Sequence, residues 1–352
     1  MAQLLTYLEK AVADQASDLF IVAGGPVSEK FEGRIRPLDD RKLYPPDTEA
    51  LIREIYTLSQ RPIDHYLETG DDDFSFAVPG MARFRVNTYR QRNSLAAVVR
   101  VVSFDIPDYK SIHIPEQVMN LADITYGLIL FTGTAGSGKS TTQACIIDRI
   151  NRTRDCHIIT LEDPIEYLHK NQRSIVSQRE IAIDTADYLS ALRACLRQAP
   201  DVILLGEMRD AETIKTAITA AETGHTVIAT MHTKGAINSI DRVIDNFSGS
   251  HQPQIRFQLA TVLRTVVSQQ MVPDISGNIL PAFEVMHVNN AIRGMIRDNK
   301  NHQIENAMIA GRAEGMIRMD DSLLDMFKKG HISKETALNY ADHPEILEKH
   351  LN

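Results

Sequence analysis

The sequence predicts an α/β protein in which a parallel-sheet domain follows a smaller α+β domain. From about residue 118, apolar strands alternate with helices, which is the pattern of a parallel sheet covered by helices. Residues 1–104 instead contain short segments of alternating polarity, which are typical of an antiparallel sheet. Residues 105–117 form the predicted linker, so the predicted domains are 1–104 and 118–352.

The first domain is predicted to begin with an amphipathic helix and to end with three alternating strands. A second helix is expected to start at Asp47, as its N-cap, directly after two prolines. The predicted elements, in order, are a helix at 1–15, a strand at 17–23, a hairpin at 31–37, a helix at 47–59, and strands at 73–78, 83–89 and 96–102.

An apolar strand, a glycine-rich loop and a helix follow one another at the start of the second domain. The strand is predicted at 126–131 and the helix at 141–150, and between them residues 133–140 read Gly-Thr-Ala-Gly-Ser-Gly-Lys-Ser. This is the G-x-x-x-x-G-K-[ST] pattern in the context that a phosphate-binding loop requires. The alternative, a chance match in a glycine turn, does not account for the flanking elements.

This loop predicts a nucleoside triphosphate and Mg²⁺ as ligands. Its glycines let backbone N–H groups approach phosphates, and the following helix adds the positive end of its dipole. Lys139 is expected to reach the β- and γ-phosphates, and the Ser140 hydroxyl to bind Mg²⁺. The nucleotide-binding residues predicted here are Gly133, Thr134, Ala135, Gly136, Ser137, Gly138, Lys139, Ser140 and Thr141.

Two further apolar strands end in carboxylates. Glu207 follows the strand that starts at Asp201, where it can face a γ-phosphate and orient the attacking water. Asp210 and Glu212, just beyond, are expected to cap the next helix. The strand from His157 ends in Glu162, Asp163 and Glu166, which form either a second acidic wall of the Mg²⁺ and water site or a solvated acidic turn.

A third strand of this kind is bracketed by His225 and His232. Such histidines are often structural, but one at a strand end could contact a γ-phosphate. A metal pair is disfavoured by their spacing and by the absence of a third ligand. The first domain is rich in arginine, either as a solvated face or as a source of arginine fingers. These arginines are Arg83, Arg85, Arg90, Arg92 and Arg100.

Composition limits the remaining functional classes. The net charge of −8 over 352 residues argues against nucleic acid as the main partner. Three widely spaced cysteines indicate neither disulfides nor zinc and fit a reducing cytoplasm. The sequence shows no signal peptide and no apolar run near the roughly 20 residues of a membrane span, so direct membrane insertion is not expected.

Together, the four blocks resemble the ATPase superfamily that drives type II secretion and type IV pili. They correspond to its Walker A loop (133–140), Asp box (162–166), Walker B strand (204–210) and His box (223–233). Residues 291–297, Ala-Ile-Arg-Gly-Met-Ile-Arg, are similar to the C-terminal signature of its pilus retraction branch, the PilT twitching-motility family. The chain also lacks the tetracysteine zinc insert of the assembly enzymes.

The resemblance implies a PAS-like N-terminal domain, a RecA-like ATPase domain, and a homohexamer that hydrolyses ATP with Mg²⁺ between the domains. It makes Glu207 the catalytic glutamate and Glu162 a support for metal and water, with both acids meeting Mg²⁺ through water. It places His232 and His225 near the γ-phosphate. It makes Arg85 and Arg100 the expected fingers, with Arg92 third.

The resemblance also implies where this motor works. It would lie in the cytoplasm at the inner face of the cytoplasmic membrane. There it would act on an inner-membrane platform protein to withdraw pilin, which is the reverse of the action of a pilus assembly ATPase. The alternatives are an assembly or type II secretion ATPase, an accessory retraction paralogue, a RecA-like nucleic-acid motor, and a ring component that binds nucleotide without hydrolysing it.

Overall fold

The computed structural model describes residues 2–31, 33–102 and 106–351. Contacts divide the chain into two compact units, Met1–Asp105 and Ile106–Asn352. The predicted domain boundary, between residues 104 and 105, lies outside the described residues.

The N-terminal unit is built on an antiparallel sheet. Its helices are α1 (Ala2–Ala13), α2 (Pro45–Leu58) and α3 (Asp64–Thr69), and its strands are β1 (Asp18–Ile21), β2 (Ser28–Phe31), β3 (Arg34–Pro37), β4 (Asp71–Val78), β5 (Ala82–Gln91) and β6 (Ser94–Val102). The strand order is β3-β2-β1-β6-β5-β4, with every neighbour antiparallel. The helices and the sheet share one apolar core, as an α+β domain requires.

The start of α2 differs from the prediction. Pro45 and Pro46 occupy its first turn, and Tyr44 is the N-cap. Asp47 instead lies at the third helical position, where its carboxylate accepts a hydrogen bond from the Tyr44 backbone N–H at 2.8 Å. Proline is tolerated in the first turn because its missing N–H would have no intrahelical partner there, so the N-cap lies three residues earlier than predicted.

The second unit contains the α/β domain and a helical C-terminal part. Its helices are α4 (Glu116–Met119), α5 (Lys139–Thr153), α6 (Tyr188–Cys195), α7 (Ala211–Glu222), α8 (Ala236–Asp245), α9 (Gln252–Val262), α10 (Asn290–Arg297), α11 (Ile304–Ala310), α12 (Met319–Lys328), α13 (Lys334–Tyr340) and α14 (Pro344–Glu348), with 3-10 turns at Asn120–Asp123, Asn301–Gln303 and Gly311–Glu314. Its strands are β7 (Gly127–Thr132), β8 (His157–Glu162), β9 (Ile175–Glu180), β10 (Val202–Leu205), β11 (Thr226–Met231), β12 (Leu263–Pro273) and β13 (Ile279–His287).

These strands form one sheet in the order β13-β12-β7-β11-β10-β8-β9. All neighbours are parallel except β12 and β13, which form an antiparallel pair at one edge. Strands β7, β8, β10 and β11 are largely buried and apolar, as strands covered on both faces must be. Because these four strands are parallel, their carboxyl ends lie on the same side of the sheet, which is where ligands bind in open α/β folds.

The C-terminal helices complete this unit. Helices α12 to α14 cover β12 and β13 through an apolar cluster that includes Val272, Ala282, Leu323 and Leu347. Beyond β13, the described residues are mainly helical. Within the described residues, none of the helices has both the length and the apolar character needed to span a bilayer.

Candidate functional site: a cleft at the carboxyl ends of four parallel strands

The glycine-rich loop connects β7 to α5 at the centre of the sheet. Gly138 adopts a left-handed conformation (φ 80°) directly before the first helical residue, Lys139. Gly133 has φ 141°, and a Cβ atom there would lie 2.3 Å from the backbone oxygen of Gln269 on β12. A side chain cannot fit at Gly133, so the close approach of β12 to the loop makes glycine obligatory at this position.

Lys139 is held inside the loop. Its ammonium group donates to the backbone oxygens of Gly133 and Thr134, each at 2.8 Å, and to the Ser137 hydroxyl at 3.3 Å. Burial lowers the pKa of Lys139 from its usual value, while the nearby Glu166 carboxylate opposes this. The ammonium group is therefore fixed where the loop would surround phosphate oxygens.

The loop forms one wall of a cleft of about 500 Å³. The cleft is also lined by Glu162, which ends β8, by Glu207, two residues after β10, and by His232, directly after β11. Glu207 is almost completely buried at 8% exposure. Its Oε2 atom lies 2.7 Å from Nε of Arg209 and 3.4 Å from Nε2 of His232. The predicted acid and histidine are thus adjacent in the cleft that the loop also lines.

Glu162 lies at the end of β8 in the same cleft. Its Oε1 atom accepts hydrogen bonds from Thr160 Oγ1 at 2.5 Å and from Gln178 Nε2 at 3.2 Å. Burial nevertheless raises the pKa of Glu162 to about 7, because the charged form loses hydration. Asp163 and Glu166 also line the cleft, so this acidic segment borders the site.

Removing the charge of Glu162 is expected to change the pH dependence of stability. The carboxyl has a usual pKa of 4.5 and a folded pKa of about 7, so its stabilising contribution is complete below pH 4.5 and is lost as the pH rises through about 7. The glutamine in Glu162→Gln does not titrate. Between pH 5 and pH 8, the wild type should therefore lose on the order of 2 kcal/mol of unfolding free energy relative to this variant. The free energy of unfolding of both proteins, measured from pH 5 to pH 8 in metal-free buffer, tests this prediction. The same pH dependence in both proteins would contradict it.

Asp210 caps α7, as predicted. Its carboxylate accepts from the Thr213 backbone N–H at 2.9 Å and from the Thr213 hydroxyl at 2.8 Å. Glu212, in the first turn of α7, is exposed and pairs with Arg193 at 3.0 Å. Neither acid lines the cleft, so both have structural roles at the start of this helix.

His225 does not lie in this chain's cleft, which corrects the prediction that it contacts the nucleotide there. His225 precedes β11, whereas His232 follows that strand. Thr226, the first residue of β11, pairs with Gly127 at the start of β7. The phosphate-binding loop follows the other end of β7. The His225 ring instead contacts the Ala220 backbone oxygen, at 2.9 Å from Nδ1. The two histidines thus lie at opposite ends of β11.

Arg85 and Arg100 are direct partners across β5 and β6. Like charges directly opposite each other repel, and each guanidinium pairs with an acid: Arg85 with Asp73 at 2.9 Å and Arg100 with Asp18 at 3.1 Å. Arg92 is exposed in the turn between the two strands, with φ 45°. Their action as arginine fingers stays a prediction.

Three residues of the site were not predicted from the sequence. Arg209 contacts Glu207 directly, and its position two residues after that acid was an available signal. The Tyr188 hydroxyl lies over Gly206, where an added Cβ would come within 2.6 Å of it, and it lines the cleft. Gln269 accepts a hydrogen bond from Thr142 at 2.9 Å under the loop. Because Gln269 comes from a distant strand, no local pattern could have indicated it.

The site suits Mg²⁺ only together with a phosphate ligand. Among the described residues, no group of three or more His, Cys, Asp or Glu side chains could hold a metal ion by itself. The cleft does offer oxygen ligands in the exposed Ser140 hydroxyl and the carboxylates of Glu162 and Glu207. Magnesium is usually held by one or two carboxylates plus substrate phosphates, so these residues fit it.

The central parallel sheet, the phosphate-binding loop and the facing acids define a P-loop nucleotide hydrolase. Its sequence matches the family model described as type II/IV secretion system protein over residues 2–317. The chain belongs to this family and is an ATPase.

Individual relatives match nearly the whole chain. The type IV pilus retraction ATPase PilT of Pseudomonas aeruginosa is 42% identical over 331 residues, covering 94% of this chain and 95% of the relative. The type IV pilus ATPase PilU of the same organism is 36% identical, covering 95% and 87%. A crystal structure of the pilus retraction motor PilT with bound ADP superposes with a TM-score of 0.91 at 43% identity, covering 98% of each chain. The predicted fold class, a RecA-like ATPase domain with a smaller N-terminal α+β domain, is confirmed.

Proposed function

We propose that this chain is a motor ATPase that powers retraction of type IV pili and hence twitching motility. The similarity to the retraction ATPase PilT along 94% of the chain carries this proposal. The cleft supports it, because Lys139, Glu162, Glu207 and His232 all line one site at the carboxyl ends of the strands. A protein that only binds nucleotide would not need the buried acid opposite the loop.

In the proposed mechanism, the backbone of the loop and Lys139 bind the phosphates of ATP. Glu207 orients the attacking water and takes its proton, and His232 donates a hydrogen bond to the γ-phosphate region. Ser140 would hold Mg²⁺ directly, and Glu162 and Glu207 through water. When bound, Mg²⁺ neutralises charge on the β- and γ-phosphate oxygens.

We place the base of the nucleotide in a second cavity of about 380 Å³. This cavity shares Gly138 and Thr141 with the cleft and therefore borders the phosphate-binding loop. Apolar side chains, among them Ile112, Ile114 and Met271, line it. A flat aromatic base favours such surroundings, with a few polar groups for orientation.

The assembly is proposed to be a homohexamer in the cytoplasm, at the inner face of the cytoplasmic membrane. Arg85 and Arg100 would act as arginine fingers on bound ATP. Movement around the ring would pass to an inner-membrane platform protein, which withdraws pilin that the assembly ATPase added. We propose neither nucleic-acid binding nor direct membrane insertion, in keeping with the net charge of −8.

A deletion strain tests the biological role. Loss of a retraction motor should leave cells piliated but unable to twitch, and the wild-type chain supplied in trans should restore twitching. Cells without pili would instead indicate an assembly ATPase. The chain with Glu207→Gln is the matched control, because it should be produced and assembled without restoring movement.

An accessory retraction ATPase is the second candidate. The similarity to the type IV pilus ATPase PilU, 36% identity over 95% of the chain, supports a second pilus ATPase role over a nucleic-acid motor. The same deletion strain separates the two retraction roles, since an accessory motor should be dispensable for retraction while another retraction ATPase remains in the cell.

A further inference from the structure

The helix that follows His232 has no capping side chain of its own. Helix α8 begins at Ala236 and is preceded by Gly235, with φ 82° and ψ 149°, where no side chain is available to accept a hydrogen bond. The first backbone N–H groups of a helix lack intrahelical partners and need acceptors from elsewhere. The start of α8 therefore depends on other parts of the fold.

Two side chains from the sheet supply these acceptors. The Ser268 hydroxyl accepts from the Gly235 N–H at 3.0 Å, and Oε1 of Glu284 accepts from the Ala236 N–H at 2.6 Å. Ser268 and Glu284 are direct partners across β12 and β13. Both are buried, at 1% and 8% exposure, so the cross-strand pair forms a two-point cap for α8.

The Glu284 carboxylate is suited to this position. Its negative charge faces the positive end of the α8 dipole, which favours an anion. Burial raises the pKa of Glu284 to about 7, while hydrogen bonds from the Ala236 and Met319 backbones favour the charged form. Met319 is the first residue of α12, so one carboxylate meets the starts of two helices.

The connection from this cap to the cleft is short. Only residues 233–235 separate His232 from the first residue of α8. This turn is also tied to the helix, because the hydroxyls of Thr233 and Ser239 lie 2.6 Å apart and the Ser239 hydroxyl donates to the Gly235 oxygen at 2.6 Å. A shift of the helix start would therefore move His232 relative to Glu207.

We propose that Glu284, together with Ser268, is a positioning residue for ATP hydrolysis: the pair fixes the N-terminus of α8 and thereby holds His232 beside Glu207. Neither residue lines the cleft, so each acts through the histidine and not on the nucleotide. The inference rests on the function proposed above for His232.

A double-mutant cycle with His232→Ala tests this. Glu284→Ala should lower kcat for ATP hydrolysis roughly 10- to 100-fold, because a misplacement of about 1 Å can cost about 100-fold in rate. The KM for ATP should change less than about twofold, because the phosphate-binding loop keeps its contacts. In the His232→Ala background, the same substitution should change kcat by less than about twofold.

Milder variants keep the test independent of folding. Ser268→Ala removes one acceptor and should lower kcat less than Glu284→Ala does, again only when His232 is present. Glu284→Gln retains an acceptor oxygen and should keep kcat within about threefold of the wild type. Asp72→Asn is the matched control: a buried carboxylate in the N-terminal unit, paired with Arg61, whose replacement should lower the melting temperature but not kcat.

The outcomes separate this inference from the proposed function. The positioning role is wrong if Glu284→Ala and Ser268→Ala fold and leave kcat unchanged. It is also wrong if each lowers kcat by the same factor with and without His232→Ala. In both cases the role of His232 stands. If His232→Ala alone leaves kcat unchanged, the proposed role of the histidine fails, and the inference fails with it.

Discussion

Replacing Glu207 with glutamine is expected to lower kcat for ATP hydrolysis by roughly 100- to 10,000-fold while ATP still binds. The amide keeps the shape of the carboxylate but cannot take a proton from the attacking water. Glu207 is 8% exposed, and its carboxylate lies beside His232 and Arg209 in the cleft. Phosphate release measures turnover, and a fluorescent ATP analogue measures binding.

Glu212→Gln is the matched control for this experiment. Glu212 lies five residues further along the chain, is exposed, and pairs with Arg193 outside the cleft. The same chemical change there should leave turnover and binding at wild-type levels. Normal hydrolysis by Glu207→Gln would show that another group activates the water and that the assignment of Glu207 is wrong.

Lys139→Ala should reduce kcat/KM for ATP by roughly 100- to 1,000-fold, the usual effect of removing one donor to a reacting oxyanion. The substitution removes a positive charge that no neighbour replaces within the loop. It also removes the hydrogen bonds to Gly133 and Thr134 that hold the loop together. Both losses should weaken ATP binding as well as turnover, in contrast to Glu207→Gln.

The control for Lys139 is an exposed lysine on a helix outside the cleft. Lys215→Ala on α7 makes the same chemical change without touching the loop. It should change neither kcat/KM nor the affinity for ATP. Isothermal titration with ATP and steady-state kinetics give the two readouts. Wild-type ATP affinity in Lys139→Ala would mean that the loop backbone alone binds the phosphates.

Most of the site could be predicted because its signals are local. The loop, Glu162 and Glu207 each follow or end an apolar strand, and parallel strands bring such ends to one edge of the sheet. His225 does not share this position, because it precedes β11 whereas His232 follows that strand. Strand direction alone assigns them to opposite edges.

The remaining features could not be predicted because they depend on contacts between distant parts of the chain. The antiparallel pair β12 and β13 was not expected, since the alternation of strands and helices gives no sign of it. Gln269 and Glu284 both lie on these two strands. The first packs under the phosphate-binding loop and the second caps α8, and neither lies near its partner in the sequence.

The position of β7 has a consequence for how the protein acquires activity during synthesis. Its two neighbours are β11, about 100 residues later, and β12, which ends at Pro273. Contacts at such separations form slowly, because large loops must close first. A nascent chain emerging from the ribosome therefore carries the glycine-rich loop long before it can bind ATP. Nucleotide binding would serve as a late marker of completed folding, and chains released early would be inactive.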